Sequence, residues 1–72
     1  MNVKLITNQG ESTIECDSVY LNYKEGFMTF IYEDDNKARD FEKCVRMIDG
    51  KTKHSDKTFT LTNLSDFEYV FE

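Results

Sequence analysis

Residues 36–48, NKARDFEKCVRMI, constrain the fold more than any other stretch of the chain. At about 100° per residue, Ala38, Phe41, Cys44, Val45 and Ile48 fall on one side of a helix, and Arg39, Lys43 and Arg46 fall on the other. An extended conformation would mix Phe41, Val45 and Met47 with Lys37, Arg39 and Lys43 on one face, and Cys44 and Ile48 with Asp40, Glu42 and Arg46 on the other. Asp34, Asp35 or Asn36 can accept an orphan amide at the helix start, and Gly50 stands where a left-handed C-terminal cap belongs. The spacing therefore predicts an amphipathic helix over about 36–48. The alternative uses EDDN, residues 33–36, as a hairpin turn. The segment 37–48 then becomes a bent strand of a small all-β barrel.

The rest of the chain reads as short strands between turn signals. NVKLIT, residues 2–7, puts Val3 and Leu5 on one face, and Gly10 supplies the turn that follows. Ile14 and Cys16 share one parity, whereas Val19, Leu21 and Tyr23 share the other. A strand cannot change its buried face without an irregularity, so a bulge or corner is expected near Asp17 and Ser18. FMTFIY, residues 27–32, is apolar on both faces and reads as a central strand covered on both sides. KTFTLT, residues 57–62, and DFEYVFE, residues 66–72, alternate cleanly. GKTKHSDK, residues 50–57, reads as a polar loop. The expected fold is a single α+β domain over residues 1–72. It has a mostly antiparallel sheet of five to six short strands and one helix on one face.

Seventy-two residues with six Phe and four Tyr suit one small folded core rather than disorder. No window approaches the roughly 20 apolar residues of a membrane span. The stretch MNVKLITNQGES has no apolar run of signal-peptide length, and two cysteines are too few for a disulfide framework. A cytoplasmic location is expected.

Little in the chain points to catalysis. His54 is the one histidine, and Cys44 is the nearby thiol, turned coreward by the helical reading. A Cys–His pair needs an open, electropositive setting. Cys16, Cys44 and His54 have no zinc-ligand spacing. EDDNKARDFEKC has the acidity of a calcium loop but neither its glycine at the sixth position nor its glutamate at the twelfth. No enzyme activity, cofactor or metal is expected.

Charge is more informative. The net charge is −5. Residues 1–36 carry seven acids and two lysines, residues 37–57 carry four acids and seven bases, and residues 58–72 carry three acids and no base. An acidic body suits a non-catalytic protein-interaction module docking on a basic partner, such as a nucleic-acid-binding protein. Asp17, Glu33, Asp34 and Asp35 are the candidate contacts, with Tyr20 and Tyr32 as aromatic anchors. An apolar sheet face left uncovered could also pair with a second copy. In composition (short, acidic, proline-free, one domain) the chain resembles small phage-encoded inhibitors, anti-CRISPR proteins among them. That likeness implies a phage or mobile-element source and an inhibitory or regulatory role. The alternative is a nucleic-acid-binding accessory module, with Arg39, Lys43, Arg46, Lys51 and Lys53 contacting phosphates. The net negative charge opposes it.

Overall fold

A computed structural model describes all 72 residues. The elements run β1 (Asn2–Thr7), β2 (Gly10–Glu15), β3 (Ser18–Asn22), β4 (Phe27–Ile31), α1 (Asp35–Met47), β5 (Thr52–Ser55), β6 (Thr58–Leu61) and β7 (Glu68–Phe71), with one 3₁₀ turn at Leu64–Asp66. The fold is α+β with antiparallel pairing throughout. Seven strands form two sheets, ordered β2-β1-β7 and β3-β4-β6-β5, and there is no closed barrel.

The change of parity near Asp17 is a corner between the sheets. Cys16 N–H still donates to Met1 O at 2.9 Å in the smaller sheet, while the next amide, Asp17, donates to Ile31 O at 3.0 Å in the larger. One peptide unit thus carries the chain from one layer to the other, and the inner faces of both layers share one core. Val3, Leu5 and Ile14 come from the smaller sheet, and Met28, Phe30, Phe59 and Leu61 from the larger, all fully buried.

Residues 35–47 are helical, as their spacing predicts. Asp34 Oδ1 accepts from Asn36 N–H at 2.9 Å, so Asp34 is the cap. Ala38 and Val45 are buried, Phe41 and Cys44 half-buried, and Ile48 follows them into the core. The helix packs on β2 of one sheet and on β5 and β6 of the other, so it closes the open side between two edge strands. Phe30 stacks on Phe59 at 4.7 Å. Tyr32 lies between Phe59 and Phe41, with ring centroids at 6.0 and 5.9 Å.

Expectations for three regions of the chain need correction. First, residues 50–57 contain a strand, β5. Its residues Thr52 and His54 face the helix and make polar bonds there, so no hydrophobic alternation marks it. Second, β4 is central in its sheet but covered on one side only. Met28 and Phe30 are buried, whereas Ile31 is 36% exposed and Phe27 half-buried on the outer side. Tyr23, expected to share the buried face with Val19 and Leu21, is 79% exposed in the β3–β4 loop. Third, the left-handed residue of the helix C-cap is Asp49, at φ 65°, and not Gly50. Gly50 N–H bonds Val45 O at 2.9 Å and Asp49 N–H bonds Arg46 O at 3.2 Å, the two bonds of a Schellman cap. Gly50 is required for space: a Cβ there would clash with Val45 Cγ1 and lie 2.8 Å from the Val45 carbonyl oxygen.

Two substitutions should therefore act in opposite directions in urea unfolding. Gly50→Ala should destabilise by about 1–3 kcal/mol through overpacking. Asp49→Gly should stabilise by up to about 1 kcal/mol, because glycine adopts the left-handed conformation without the Cβ penalty. Equal effects of the same sign would contradict this account of the cap.

Candidate functional site

Strand register turns scattered acids into a pattern. In the smaller sheet Ile6 pairs with Glu11 and with Glu68, Lys4 with Thr13 and with Val70, and Asn2 with Glu15. Glu72 N–H bonds Asn2 O at 2.8 Å and extends the same ladder. The inner face takes Val3 and Leu5, so the outer face presents the other parity. Four carboxylates, of Glu11, Glu15, Glu68 and Glu72, mark its corners. Strand geometry puts them roughly 10 Å apart across the sheet and roughly 13 Å apart along it. Ile6, half-buried, and Val70, 49% exposed, are the apolar residues between them.

Two cations partly compensate the corners. Lys4 Nζ lies 3.8 Å from Glu11 and Lys37 Nζ 3.6 Å from Glu15. Both glutamates remain well exposed, and such surface pairs contribute little, about 0–1 kcal/mol each. The carboxylates stay open to solvent and to any partner.

Of the four acids expected as contacts, Asp17, Asp34 and Asp35 also bond within the fold. Asp17 Oδ2 accepts Glu33 N–H at 2.7 Å and closes the end of the β3–β4 pair. Asp34 caps the helix. Asp35 is a structural knot: its Oδ1 receives His54 Nε2 at 2.8 Å and Lys57 N–H at 2.7 Å, and its Oδ2 receives Arg39 Nε at 2.9 Å. An ionised carboxylate only accepts, so the His54 proton toward it resides on Nε2. The Lys57 N–H bond, with help from Arg39 and His54, holds the Asp35 carboxyl down at about 2, below the ordinary 3.8. Lys57 itself has φ 63°, a strained turn residue held from both sides, since its carbonyl accepts Tyr32 N–H at 2.8 Å.

Tyr20 is 54% exposed on the outer face of the larger sheet and stays open to solvent. Tyr32 does not: it is 4% exposed within the aromatic stack, and its hydroxyl has no hydrogen-bond partner. Its parity with Met28 and Phe30 puts it on the covered face, and burial pushes its pKa far up.

The basic residues also separate. Arg39 is held by Asp35, leaving Lys43 and Arg46 as unpaired cations on the outward helix face. Lys51 and Lys53 have the parity opposite to Thr52 and His54, so they point away from the helix, onto the outer face of the larger sheet. One expected ridge is two clusters. His54 is engaged by Asp35, and Cys16 and Cys44 are free thiols, the first buried. No three His, Cys, Asp or Glu residues converge as a metal site. A polar surface cleft of about 390 Å³ lies among Thr7, Asn8, Gln9, Asp49 and Asp66. No helix is long and apolar enough to cross a membrane.

The chain matches no protein-family model, no curated protein and no solved structure. The four-cornered acidic face eluded the reading of the sequence because it needs β7 to pair with β1 from the far end of the chain. The outward parity of Glu11 and Glu15 against Ile14, and of Glu68 and Glu72 in the last strand, was its local signal.

Two predictions follow from the Asp35 knot and from Tyr32. Because the folded Asp35 carboxyl titrates below its unfolded value, its contribution is complete above about pH 4 and is lost as pH falls toward 2. In acid titrations monitored by circular dichroism, Asp35→Asn should be less stable than wild type at neutral pH, and the gap should shrink between pH 4 and 2. A gap constant across that range would refute the role assigned to the carboxylate. Tyr32→Phe removes an unpaired buried hydroxyl and keeps the ring, so it should leave stability unchanged or raise it by about 1 kcal/mol. A loss above 1 kcal/mol in urea unfolding would show that the hydroxyl is bonded.

Proposed function

We propose that this protein works by binding another protein, without catalysis, and that the contacted surface of the partner is basic. The observation that carries the reading is the outer face of β2-β1-β7, with Glu11, Glu15, Glu68 and Glu72 around Ile6 and Val70. Spaced carboxylates attract lysines and arginines over distance and orient the encounter. Ile6 and Val70, which flank Lys4 at the centre of the face, then supply apolar surface to bury once the partners meet. A partner that normally grips phosphates offers this kind of cationic surface, and occupying it would compete with nucleic acid. That makes the chain a candidate inhibitor or regulator of a nucleic-acid-binding protein. Its free thiols suit a reducing compartment, so we place this activity in a cytoplasm.

A nucleic-acid contact through the helix stripe has less support. Arg39 is bonded to Asp35, and Asp40 and Glu42 stand on the same helix as Lys43 and Arg46.

The reading is tested by affinity capture from lysate followed by mass spectrometry. The bait is either wild type or a variant with Glu11→Gln, Glu15→Gln, Glu68→Gln and Glu72→Gln. Wild type should retain basic proteins that heparin or raised salt displaces. The variant should bind the purified partner at least about ten-fold more weakly at 0.15 M salt. Retention of acidic partners, or equal binding by the variant, would overturn the proposal.

A further inference from the structure

The outer face of the larger sheet has a different chemistry from the acidic one. Its register places residues in three rows across β3, β4, β6 and β5. The row at one end is Ser18, Ile31, Thr58 and Ser55, and the middle row is Tyr20, Thr29, Thr60 and Lys53. The row at the other end joins Asn22, Phe27, Thr62 and Lys51, with Thr62 N–H bonded to Lys51 O at 2.7 Å. No carboxylate stands in any row. Tyr20 and Phe27 form a tilted ring pair at 6.0 Å along the β3 side. Lys51 and Lys53 lie along the β5 side, exposed and in no ion pair. Between the two edges run threonines, Thr29 and Thr60 sharing a 2.8 Å hydroxyl bond.

We infer that this face binds single-stranded nucleic acid, the two rings stacking on unpaired bases while Lys51 and Lys53 meet the backbone phosphates. Three observations favour that occupant. The rings are on the open side of the sheet, where a base can lie on them, and every base offers a flat face. The lysines sit at the opposite edge, separated from the rings by threonines; Thr58 and Thr62 donate to Ser55 O and Lys51 O, and the Thr29–Thr60 pair keeps one hydroxyl proton for a sugar or phosphate oxygen. An acidic peptide would use the lysines and leave the rings without planar partners. A duplex would hide its bases from Tyr20 and Phe27.

The net charge of −5 does not decide against this. Glu11, Glu15, Glu68 and Glu72 lie across the core, on a molecule whose smallest extent is 22 Å. The Debye length is about 8 Å at physiological salt, so their repulsion is largely screened at this face. The nearer acids, Asp17, Glu33 and Asp56 at one end and Glu25 at the other, flank the rows and oppose binding. The affinity is therefore modest, on the order of 10⁻⁵ M. The inference is independent of the basic-partner reading, which concerns the other sheet.

Fluorescence anisotropy of a labelled thymidine oligonucleotide of about ten residues, at 50 mM salt, tests it. Wild type should bind saturably and prefer the single strand to the corresponding duplex. Tyr20→Ala and Phe27→Ala should each weaken binding at least about five-fold. Lys51→Gln with Lys53→Gln should lower the slope of log affinity on log salt by about 1.4. Lys43→Gln with Arg46→Gln should change little. Tyr20 is largely exposed, so its variant decides the matter even where Phe27→Ala impairs folding. Absent wild-type binding, equal binding by Tyr20→Ala, or equal affinity for duplex would overturn the inference. A wild-type dimer that Tyr20→Ala disperses in sedimentation would do so too, by showing that a second copy covers the face.

Discussion

The aromatic stack of Phe30, Phe59, Tyr32 and Phe41 is the contact on which the rest of this molecule depends. It runs from the centre of the larger sheet to the helix, with neighbouring rings 4.7–6.0 Å apart. Truncating a buried Phe costs roughly 3–5 kcal/mol, comparable with the whole stability of a small domain. Opposite the rings, Val3, Leu5 and Ile14 of the smaller sheet complete the core. Without the stack, two short sheets joined at a corner have no common interior.

Polar contacts then select one arrangement among those the core permits. Asp35 begins the helix and reaches both the β5 strand, through His54, and the β5–β6 turn, through Lys57. Thr52 Oγ1 donates to Glu42 Oε2 at 2.8 Å one level further along. These bonds orient a strand that has almost no hydrophobic claim on the core. They also show that Asp35, expected as a surface contact, bonds within the fold. A carboxylate at a helix start finds unpaired amides before it finds a partner protein.

The surface sorts into two faces of unlike chemistry. Alternation is the cause. Each strand that sends apolar residues inward must send the opposite parity outward, and pairing brings outward residues of distant strands together. On β2-β1-β7 this gathers glutamates; on β3-β4-β6-β5 it gathers two rings, threonines and two lysines. The proposed functions draw on these two faces; two of the surface clefts are lined mainly by polar residues, and a third by Tyr23, Leu64, Phe67 and Tyr69.

What the residues determined by themselves was everything governed by short-range periodicity. The apolar stripe from Ala38 to Ile48 defines the helix. The parity change between Cys16 and Val19 defines the corner, and the Gly10 turn defines the first hairpin. These depend on dihedral preferences and burial within a few residues, so they can be read one segment at a time. Other features came only with the tertiary structure. β5 is polar on both faces and is a strand because β6 and the helix bond it. Tyr32 shares the parity of Met28 and Phe30, but which face of that strand is covered was decided by Phe59 and by Phe41, nine positions on, stacking against its ring. The acidic corners exist because β7 returns to β1 across more than 60 residues of chain. Each of these needs a partner distant in sequence, and hydropathy at one position carries no information about which partner arrives.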